Sequence, residues 1–201
     1  HKEYRRQRQM CIRDSVEVAR YAAGRKVLDC FSYTGGFTMH AAKAGAASVL
    51  SVDASEPALE RLRANLAANG FAADDQRFHQ RQGNAFDILR QLLEEGETFD
   101  LITLDPPKFA ASGGQVEKAA RGYKDLNMLA LKLLRPGGLL ATFSCSGHIS
   151  PDLYQKIVFG AAIDAGRDAQ IVSYLHQADD HPVLLTFPES LYLKGLLCRV
   201  I

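Results

Sequence analysis

The sequence predicts an α/β domain with a seven-stranded, mostly parallel sheet, helices on both faces and an antiparallel hairpin at its end. Short apolar runs alternate with segments of helical periodicity along most of the chain, which is typical of parallel α/β folds. The last two apolar runs have no helical segment between them, and this favours a hairpin. The 201 residues, 47% of them hydrophobic, fit one domain with a substantial core.

The first half of the chain contains three predicted strands, each followed by a helix. The strands are short runs bounded by turn residues, at Arg25–Phe31, Ala47–Asp53 and Arg77–Gln82. A glycine turn at Thr34-Gly35-Gly36 starts the first helix, which ends near Gly45. The second helix begins at Ser55-Glu56-Pro57, where Ser55 is a candidate cap, and ends at Asn69-Gly70. The core-facing residues of the second and third helices are Leu59, Leu62, Leu66, Phe86, Leu89, Leu92 and Leu93.

The second half continues with a fourth strand at Phe99–Leu104 and a long helix. Apolar residues of that helix recur at the spacing i, i+3, i+4, i+7, at Leu126, Leu129, Ala130 and Leu133. Arg135-Pro136-Gly137-Gly138 is predicted to end the helix. The remaining elements are a strand at Leu139–Ser144, a helix at Leu153–Ala165, and strands at about Ala169–Leu175 and Leu191–Val200.

Composition excludes several classes of protein. No apolar run approaches the length of a membrane span, and the polar, basic N-terminal region does not resemble a signal peptide. The four cysteines show neither paired metal-ligand spacing nor a dense disulfide pattern. We therefore expect a cytoplasmic protein with no metal site and no membrane partner.

Charge is unevenly distributed along the chain. Residues 1–26 carry eight Lys or Arg against three acidic residues, and the remainder has a net charge of −4. A basic arm of this kind can contact phosphate, and it can equally be a solvated tail. The stretch Met10–Ser15 (MCIRDS) resembles a translated sequencing adapter, so we interpret residues 1–15 as partly non-native. We divide the chain into a segment 1–24 and a domain 25–201.

Three predicted strand ends carry residues suited to an adenosine-containing cofactor. A glycine turn after the first strand, Phe31–Gly36, can bring backbone N–H groups close to such a ligand. Asp53 ends the second strand, where a carboxylate can accept ribose hydroxyls. Asn84-Ala85 follows the third strand and can pair with the adenine edge. Each has a structural alternative, as an ordinary turn or a helix cap, but their coincidence predicts a cofactor.

The fourth and fifth strand ends carry candidate catalytic residues. In Asp105-Pro106-Pro107 the prolines lack N–H groups, so the carboxylate and nearby carbonyls can accept hydrogen bonds from the amino group of a base. A plain strand terminator is the alternative, and Lys108 is either a phosphate contact or solvated. Cys145 follows the fifth apolar run between two serines, which indicates partial exposure and a possible nucleophile, whereas a lone cysteine is more often buried in a core.

Taken together, these motifs resemble the class I S-adenosylmethionine-dependent methyltransferases. More narrowly, the chain resembles the catalytic domain of the bacterial large-subunit ribosomal RNA methyltransferase I family, which makes 5-methylcytosine. The blocks that carry the resemblance are LDCFSYTGGF (28–37), SVD (51–53), LDPPKFA (104–110), RGYKDLNMLA (121–130), FSCSG (143–147), AAIDAGRD (161–168), DHPV (180–183) and LYLKG (191–195). Family members normally also have an N-terminal RNA-binding domain and a linking β-rich domain.

The resemblance implies a Rossmann-like fold, S-adenosylmethionine as cofactor and large-subunit ribosomal RNA as partner. Cys145 would add to C6 of cytosine as the nucleophile, and Asp105 would orient the base. The implied cofactor-binding residues are Phe31, Ser32, Tyr33, Thr34, Gly35, Gly36, Phe37, Asp53, Ala54, Asn84, Ala85 and Asp105. The implied substrate-binding residues are Pro106, Pro107, Lys108 and Ser144.

One position departs from other RNA cytosine-C5 methyltransferases. Many of them carry a second cysteine in the fourth-strand motif, where this sequence has Lys108, so the base that removes the C5 proton is not assigned. Two alternatives stay open. The Asp-Pro-Pro motif also suits an N-methyltransferase acting on a guanine or an exocyclic amine of ribosomal RNA without a thiol. The chain could also bind cofactor without turnover.

Overall fold

The computed structural model of the chain describes residues 12–72, 74–110, 112–177, 183–187 and 190–201, with side chains described from residue 15 onward. It contains one seven-stranded sheet with the strand order β3-β2-β1-β4-β5-β7-β6. The strands are β1 (Lys26–Cys30), β2 (Ser48–Asp53), β3 (Phe78–Gln82), β4 (Phe99–Leu104), β5 (Leu134–Ser144), β6 (Ala169–His176) and β7 (Lys194–Val200). The helices are α1 (Ile12–Ala19), α2 (Gly36–Lys43), α3 (Glu56–Ala68), α4 (Ala85–Glu94), α5 (Val116–Leu133) and α6 (Pro151–Ala165).

The sheet topology confirms the predicted fold class. Strands β1 to β5 pair in parallel, and β7 runs antiparallel to both β5 and β6, so the chain ends in the predicted hairpin. Strand order reverses direction at β1, with β2 on one side and β4 on the other. Parallel α/β sheets bind ligands at such a reversal, beyond the carboxyl ends of the strands.

Helices cover both faces of the sheet because neighbouring residues of a strand point to opposite faces. Val27 of β1 packs in a core with residues of α1, α2 and α3, whereas its neighbour Leu28 packs in a second core with residues of α4, α5 and α6. Both side chains are almost fully buried. The sheet is therefore rigidly held on two sides, and its strand ends are fixed relative to one another.

Two elements differ most from the sequence-based expectation. Strand β5 begins at Leu134, five residues earlier than predicted, because buried Leu134 pairs with Phe99 before the register shifts. The tetrapeptide 135–138, predicted to be a turn after the helix, is the irregularity in that strand, and Gly137 has a φ of 77°. Helix α1 was not predicted, and its Val18 is buried in the same core as Val27.

Residues 1–15 were interpreted as partly non-native, and of these residues 1–11 lie outside the part of the chain that the structure describes. The predicted basic arm lies outside it over the same residues. Within the helices that the structure describes, none has both the length and the apolar composition needed to cross a bilayer.

Candidate active site

A strained turn connects β1 to α2. Phe31 and Tyr33 adopt φ values of 63° and 48°, in the left-handed region that residues with a side chain rarely occupy. The N–H of Ser32 donates to the carbonyl of Val52 at 3.0 Å, which ties the turn to the end of β2. Backbone strain of this kind persists only where the surrounding structure enforces it, and it is concentrated at functional sites.

Gly35 lets this turn pack tightly against α3. It has a φ of 88° and occupies the N-cap position of α2. A Cβ atom at this position would lie 2.6 Å from Cγ of Leu62, closer than real carbon atoms approach. The next residue, Gly36, has no such neighbour within 4 Å. The first glycine is therefore required by the local geometry, and the second is not.

Asp53 lies at the carboxyl end of β2 and is half-buried. Its Oδ2 accepts the N–H of Tyr33 at 2.8 Å, and its Oδ1 accepts the N–H of Ser55 at 2.9 Å. The carboxylate thus fixes both the strained turn and the start of α3, while Ser55 makes no side-chain capping bond. Because an ionised carboxylate has about four acceptor positions, two remain for ribose hydroxyls. The ribose contact itself stays a prediction.

Asn84 and Ala85 begin α4 close to the end of β2, since the N–H of Gly83 donates to the main-chain carbonyl of Asp53 at 3.0 Å. Asn84 is exposed and caps the helix, with its Oδ1 accepting the N–H of Phe86 at 2.9 Å. Ala85 is buried. The structure shows the capping role of Asn84, and its amide nitrogen and the second acceptor position of Oδ1 are left for the predicted adenine contact.

Asp105 and Cys145 lie at the ends of two neighbouring parallel strands, β4 and β5. Sγ of Cys145 lies 3.9 Å from the carbonyl oxygen of Pro106, so the thiol and the Asp-Pro-Pro motif are in contact. Asp105 and Cys145 are both half-buried, whereas Pro106 is buried. Pro107 and Lys108 are exposed. The structure therefore brings together the carboxylate and the thiol that the sequence selected.

The environment of Cys145 disfavours its ionised form. Burial, and then the negative charge of Asp105, raise the pKa of the thiol to about 11. Two cations, Lys194 and Lys108, act in the opposite direction. In the ligand-free protein the thiol is neutral at pH 7, so its proton must leave before the sulfur can attack.

Ser144, predicted to contact substrate, is fully buried. Its Oγ accepts the N–H of Ser146 at 3.3 Å, which supports the turn around Cys145. Its predicted contact with substrate stays untested. Cys30 and Cys198, interpreted as core residues, are both buried free cysteines.

Comparison with known proteins shows which protein family has this arrangement of strand-end residues. The family model of the S-adenosylmethionine-dependent methyltransferases matches residues 9–199. The chain belongs to this family. Its cofactor is accordingly S-adenosylmethionine, as the resemblance implied.

Curated relatives confirm the narrower resemblance drawn from the sequence. The Ribosomal RNA large subunit methyltransferase I of Shewanella denitrificans is 54% identical over 182 residues, which cover 90% of this chain and 45% of that protein. The protein of the same name from Shewanella amazonensis is 54% identical over 189 residues, which cover 94% of this chain and 47% of that protein. The chain thus spans about half the length of the curated relatives it matches.

A solved structure shows the same fold. SMU.776, described as a methyltransferase and crystallised with SAH, superposes with a TM-score of 0.81 at 25% sequence identity. The superposition covers 94% of this chain and 48% of that one. The strand order and the C-terminal hairpin therefore belong to a methyltransferase architecture with known members.

The turn after β1 fits the cofactor that the family uses. Oγ of Ser32 is buried and has no hydrogen-bond partner among the described residues. A buried hydroxyl without a partner is costly, and a polar ligand in the turn would satisfy it. The Ser32 hydroxyl and the Asp53 carboxylate, which binds the N–H of Tyr33 in this turn, are polar groups suited to a cofactor that joins a nucleoside to a charged amino-acid chain.

Sequence reasoning missed Asp29, a buried carboxylate beneath the turn. Its Oδ2 accepts both the N–H and the hydroxyl of Thr38, at 3.0 and 2.7 Å. Its Oδ1 accepts the hydroxyl of Thr103 at 2.7 Å. Burial raises the pKa of Asp29 to about 6, against these hydrogen bonds, which lower it. The sequence did contain a signal, because Asp29, Ser51 and Thr103 are each a polar residue within an otherwise apolar strand. The sheet register places these three residues side by side.

Among the described residues, no group of three or more His, Cys, Asp or Glu side chains is arranged to hold a metal ion.

Proposed function

We propose that this methyltransferase domain transfers the methyl group of S-adenosylmethionine to C5 of a cytosine in large-subunit ribosomal RNA. Two curated relatives at 54% identity carry the name of a large-subunit ribosomal RNA methyltransferase. Their name supports the substrate class, and the site supports the position on the base. Action on ribosomal RNA would place the enzyme in the cytoplasm.

The observation that carries this proposal is the contact between the thiol and the Asp-Pro-Pro motif. Cys145 Sγ lies 3.9 Å from the Pro106 carbonyl, directly after Asp105. Methylation of an amine needs no nucleophilic side chain, because the amine has its own lone pair. Methylation of C5 does need one, because that carbon is unreactive until a nucleophile adds to the ring. A half-buried thiol beside a base-orienting carboxylate meets this requirement.

The chemistry assigns one role to each side chain. The Cys145 thiolate forms a bond to C6, and the electron pair of the C5–C6 double bond becomes available at C5. The proton that leaves the Cys145 thiol passes to N3 of the base by way of the Asp105 carboxylate, which then accepts hydrogen bonds from the exocyclic amine and N3–H and so stabilises the adduct. Bound S-adenosylmethionine would supply the methyl group that C5 attacks and would leave as S-adenosylhomocysteine. A base then removes the C5 proton, N3 returns its proton by way of Asp105, the C6–S bond breaks, and the double bond and the thiol are restored.

Replacement of Cys145 tests the mechanism directly. We expect Cys145→Ser to lower methyl transfer from labelled cofactor to ribosomal RNA at least about 1,000-fold, because a hydroxyl is a far weaker nucleophile. The affinity for S-adenosylhomocysteine, measured by isothermal titration, should stay unchanged. Mass mapping of the RNA should locate the label at C5 of a cytosine.

Cys198→Ala is the matched control, because Cys198 is buried with a pKa likewise raised to about 11 and lies in β7, away from the strand ends. This variant should retain activity. Methyl transfer by Cys145→Ser at a near wild-type rate would refute the C5 mechanism and favour the N-methyltransferase that also uses Asp-Pro-Pro. Cofactor binding without any transfer by the wild type would favour the binding fragment instead.

A further inference from the structure

A lysine is buried at the start of β7, beside the predicted nucleophile. Lys194 is only 7% exposed and stands opposite Ser144, the residue before Cys145, in the β5–β7 ladder. On its other side it stands opposite His176 of β6. A buried ammonium ion is costly unless its donors are used. The contacts of the Lys194 ammonium therefore indicate its role in the structure.

The Lys194 ammonium closes the turn that carries Cys145. Its Nζ donates to the carbonyls of Ser146 and Ile149, each at 2.6 Å. The Ser146 carbonyl also accepts the N–H of Ile149 at 3.0 Å, which defines a turn over residues 146–149. The lysine thus fixes both ends of the turn that begins directly after the thiol.

Other elements hold the same turn without adding charge. Oγ of Ser146 accepts the N–H of Ala110 at 3.2 Å and lies 3.0 Å from the hydroxyl of Tyr123. Burial raises the pKa of the Tyr123 phenol, so this group is neutral at pH 7. If holding the turn were the only requirement, uncharged groups of this kind would suffice.

Charge is what Lys194 adds to the surroundings of the thiol. The charged groups that act on Cys145 are Asp105, which opposes ionisation, and Lys108 and Lys194, which favour it. Lys108 is exposed and screened by solvent, whereas Lys194 is buried. Burial lowers the pKa of Lys194 to about 8, so most of the population is charged at pH 7.

We propose that Lys194 is a positioning residue for the nucleophile: its buried ammonium holds the 146–149 turn and supplies the positive charge that a thiolate at Cys145 needs beside Asp105. This inference rests on the proposed role of Cys145 as the nucleophile. Lys194 itself touches neither the substrate nor the cofactor in this proposal.

The rate at which iodoacetamide alkylates Cys145 tests the proposal, because only the thiolate reacts. The rate is followed between pH 7 and 9 by mass spectrometry of the Cys145 peptide. Lys194→Met should slow alkylation about tenfold at pH 7, the effect of raising the thiol pKa by one unit, and by less at pH 9, where the pH exceeds the Lys194 pKa of about 8 and most of its charge is lost. Lys132→Met, which removes an exposed lysine of α5, should leave the rate unchanged. If Lys194→Met does not fold, Lys194→Gln removes the charge and keeps one donor for the turn.

The direction of the change separates charge from packing. Loosening the turn would expose the thiol and accelerate alkylation, whereas loss of the charge slows it. Ser146→Ala removes the hydroxyl that ties the turn to Tyr123 and leaves Lys194 in place, so its alkylation rate should equal or exceed that of the wild type. A rate for Lys194→Met at or above the wild-type value overturns the proposal. Equal slowing in Ser146→Ala and Lys194→Met also overturns it.

The outcome is independent of the proposed function. Alkylation reports the ionisation of Cys145 whether or not methyl transfer uses it. If Cys145→Ser methylates at the wild-type rate, the function fails, while slower alkylation of Lys194→Met would still show that Lys194 controls the thiol.

Discussion

The two halves of the strand-end surface are built in different ways. The cofactor end, formed by residues 29–38, 53–55 and 84, is held by the buried carboxylate of Asp29 and the half-buried carboxylate of Asp53, which accept hydrogen bonds from backbone and hydroxyl groups. The nucleophile end, formed by Asp105, Tyr123, 145–149 and Lys194, is held by side chains from separate elements that converge on one turn. Most contacts of the cofactor end join residues within 29–55, with Thr103 as a long-range exception, whereas the contacts of the nucleophile end join residues far apart in sequence.

This difference predicts that the two ends can be damaged independently. A substitution at the cofactor end should lower stability and affinity for S-adenosylhomocysteine, and leave the reactivity of Cys145 intact in the folded protein. A substitution at the nucleophile end should leave the affinity for S-adenosylhomocysteine intact. If a substitution at one end changes the property assigned to the other end, the two ends act as one unit.

The largest effect is expected at the cofactor end from Asp29→Ala. The change leaves the N–H of Thr38 and the hydroxyl of Thr103 without their buried acceptor. We expect the free energy of unfolding, measured by urea denaturation, to fall by about 3 kcal/mol. Affinity for S-adenosylhomocysteine should fall too, because the turn above Asp29 loses its support.

Asp29→Asn is the control, because it keeps the shape, one acceptor oxygen and a donor for the Thr103 oxygen. The pKa of Asp29 is raised from 3.8 to about 6 in the folded protein, so protonation favours folding. This contribution is fully present below pH 3.8 and is lost as the pH rises through 6. Between pH 7 and 5 the wild type should gain about 1 kcal/mol relative to Asp29→Asn. A pH-independent difference would show that Asp29 does not titrate in this range.

A smaller loss is expected from Gly35→Ala, also at the cofactor end. The added Cβ would lie 2.6 Å from Cγ of Leu62, and alanine is strained at a φ of 88°. We expect the free energy of unfolding to fall by about 2 kcal/mol, with weaker binding of S-adenosylhomocysteine. Gly36→Ala is matched in chemistry and one residue away, and its Cβ meets no atom within 4 Å. Equal losses of stability in the two variants would contradict the steric explanation.

The cofactor end was also the more predictable of the two from sequence. Its residues are contiguous or follow the ends of successive strands, so a parallel sheet alone places Phe31–Gly36, Asp53 and Asn84 together. Asp105 and Cys145 were found by the same rule, because β4 and β5 are neighbours. Most of the candidate site could therefore be predicted from the order of the parallel strands and the residues that follow their carboxyl ends.

What could not be predicted depends on register and on distant contacts. Lys194 reaches a carbonyl 48 residues away in sequence, and Thr103 reaches Asp29 over 74 residues. No local pattern distinguishes Lys194 from a surface lysine, because its burial follows from the position of β7 between β5 and β6. The early start of β5 was hidden for a similar reason, since Leu134 is assigned to the strand by its partner Phe99.

The smallest effect is expected at the nucleophile end from Tyr123→Phe. The ring stays packed against Phe109 and Tyr154, at centroid distances of 4.6 and 5.4 Å, and only the hydroxyl bound to Ser146 is lost. We expect the free energy of unfolding to fall by about 1 kcal/mol, the contribution of one buried hydrogen bond.

Affinity for S-adenosylhomocysteine should be unchanged in Tyr123→Phe, because the Tyr123 hydroxyl contacts the turn after Cys145 rather than the turn after β1. The matched control is Tyr174→Phe, whose hydroxyl bonds Gln155 on an exposed side chain and should contribute little. A tenfold loss of S-adenosylhomocysteine affinity in Tyr123→Phe would mean that the two ends are coupled. In that case, the turn after Cys145 supports the cofactor as well as the nucleophile, and the division between local and long-range construction does not separate their functions.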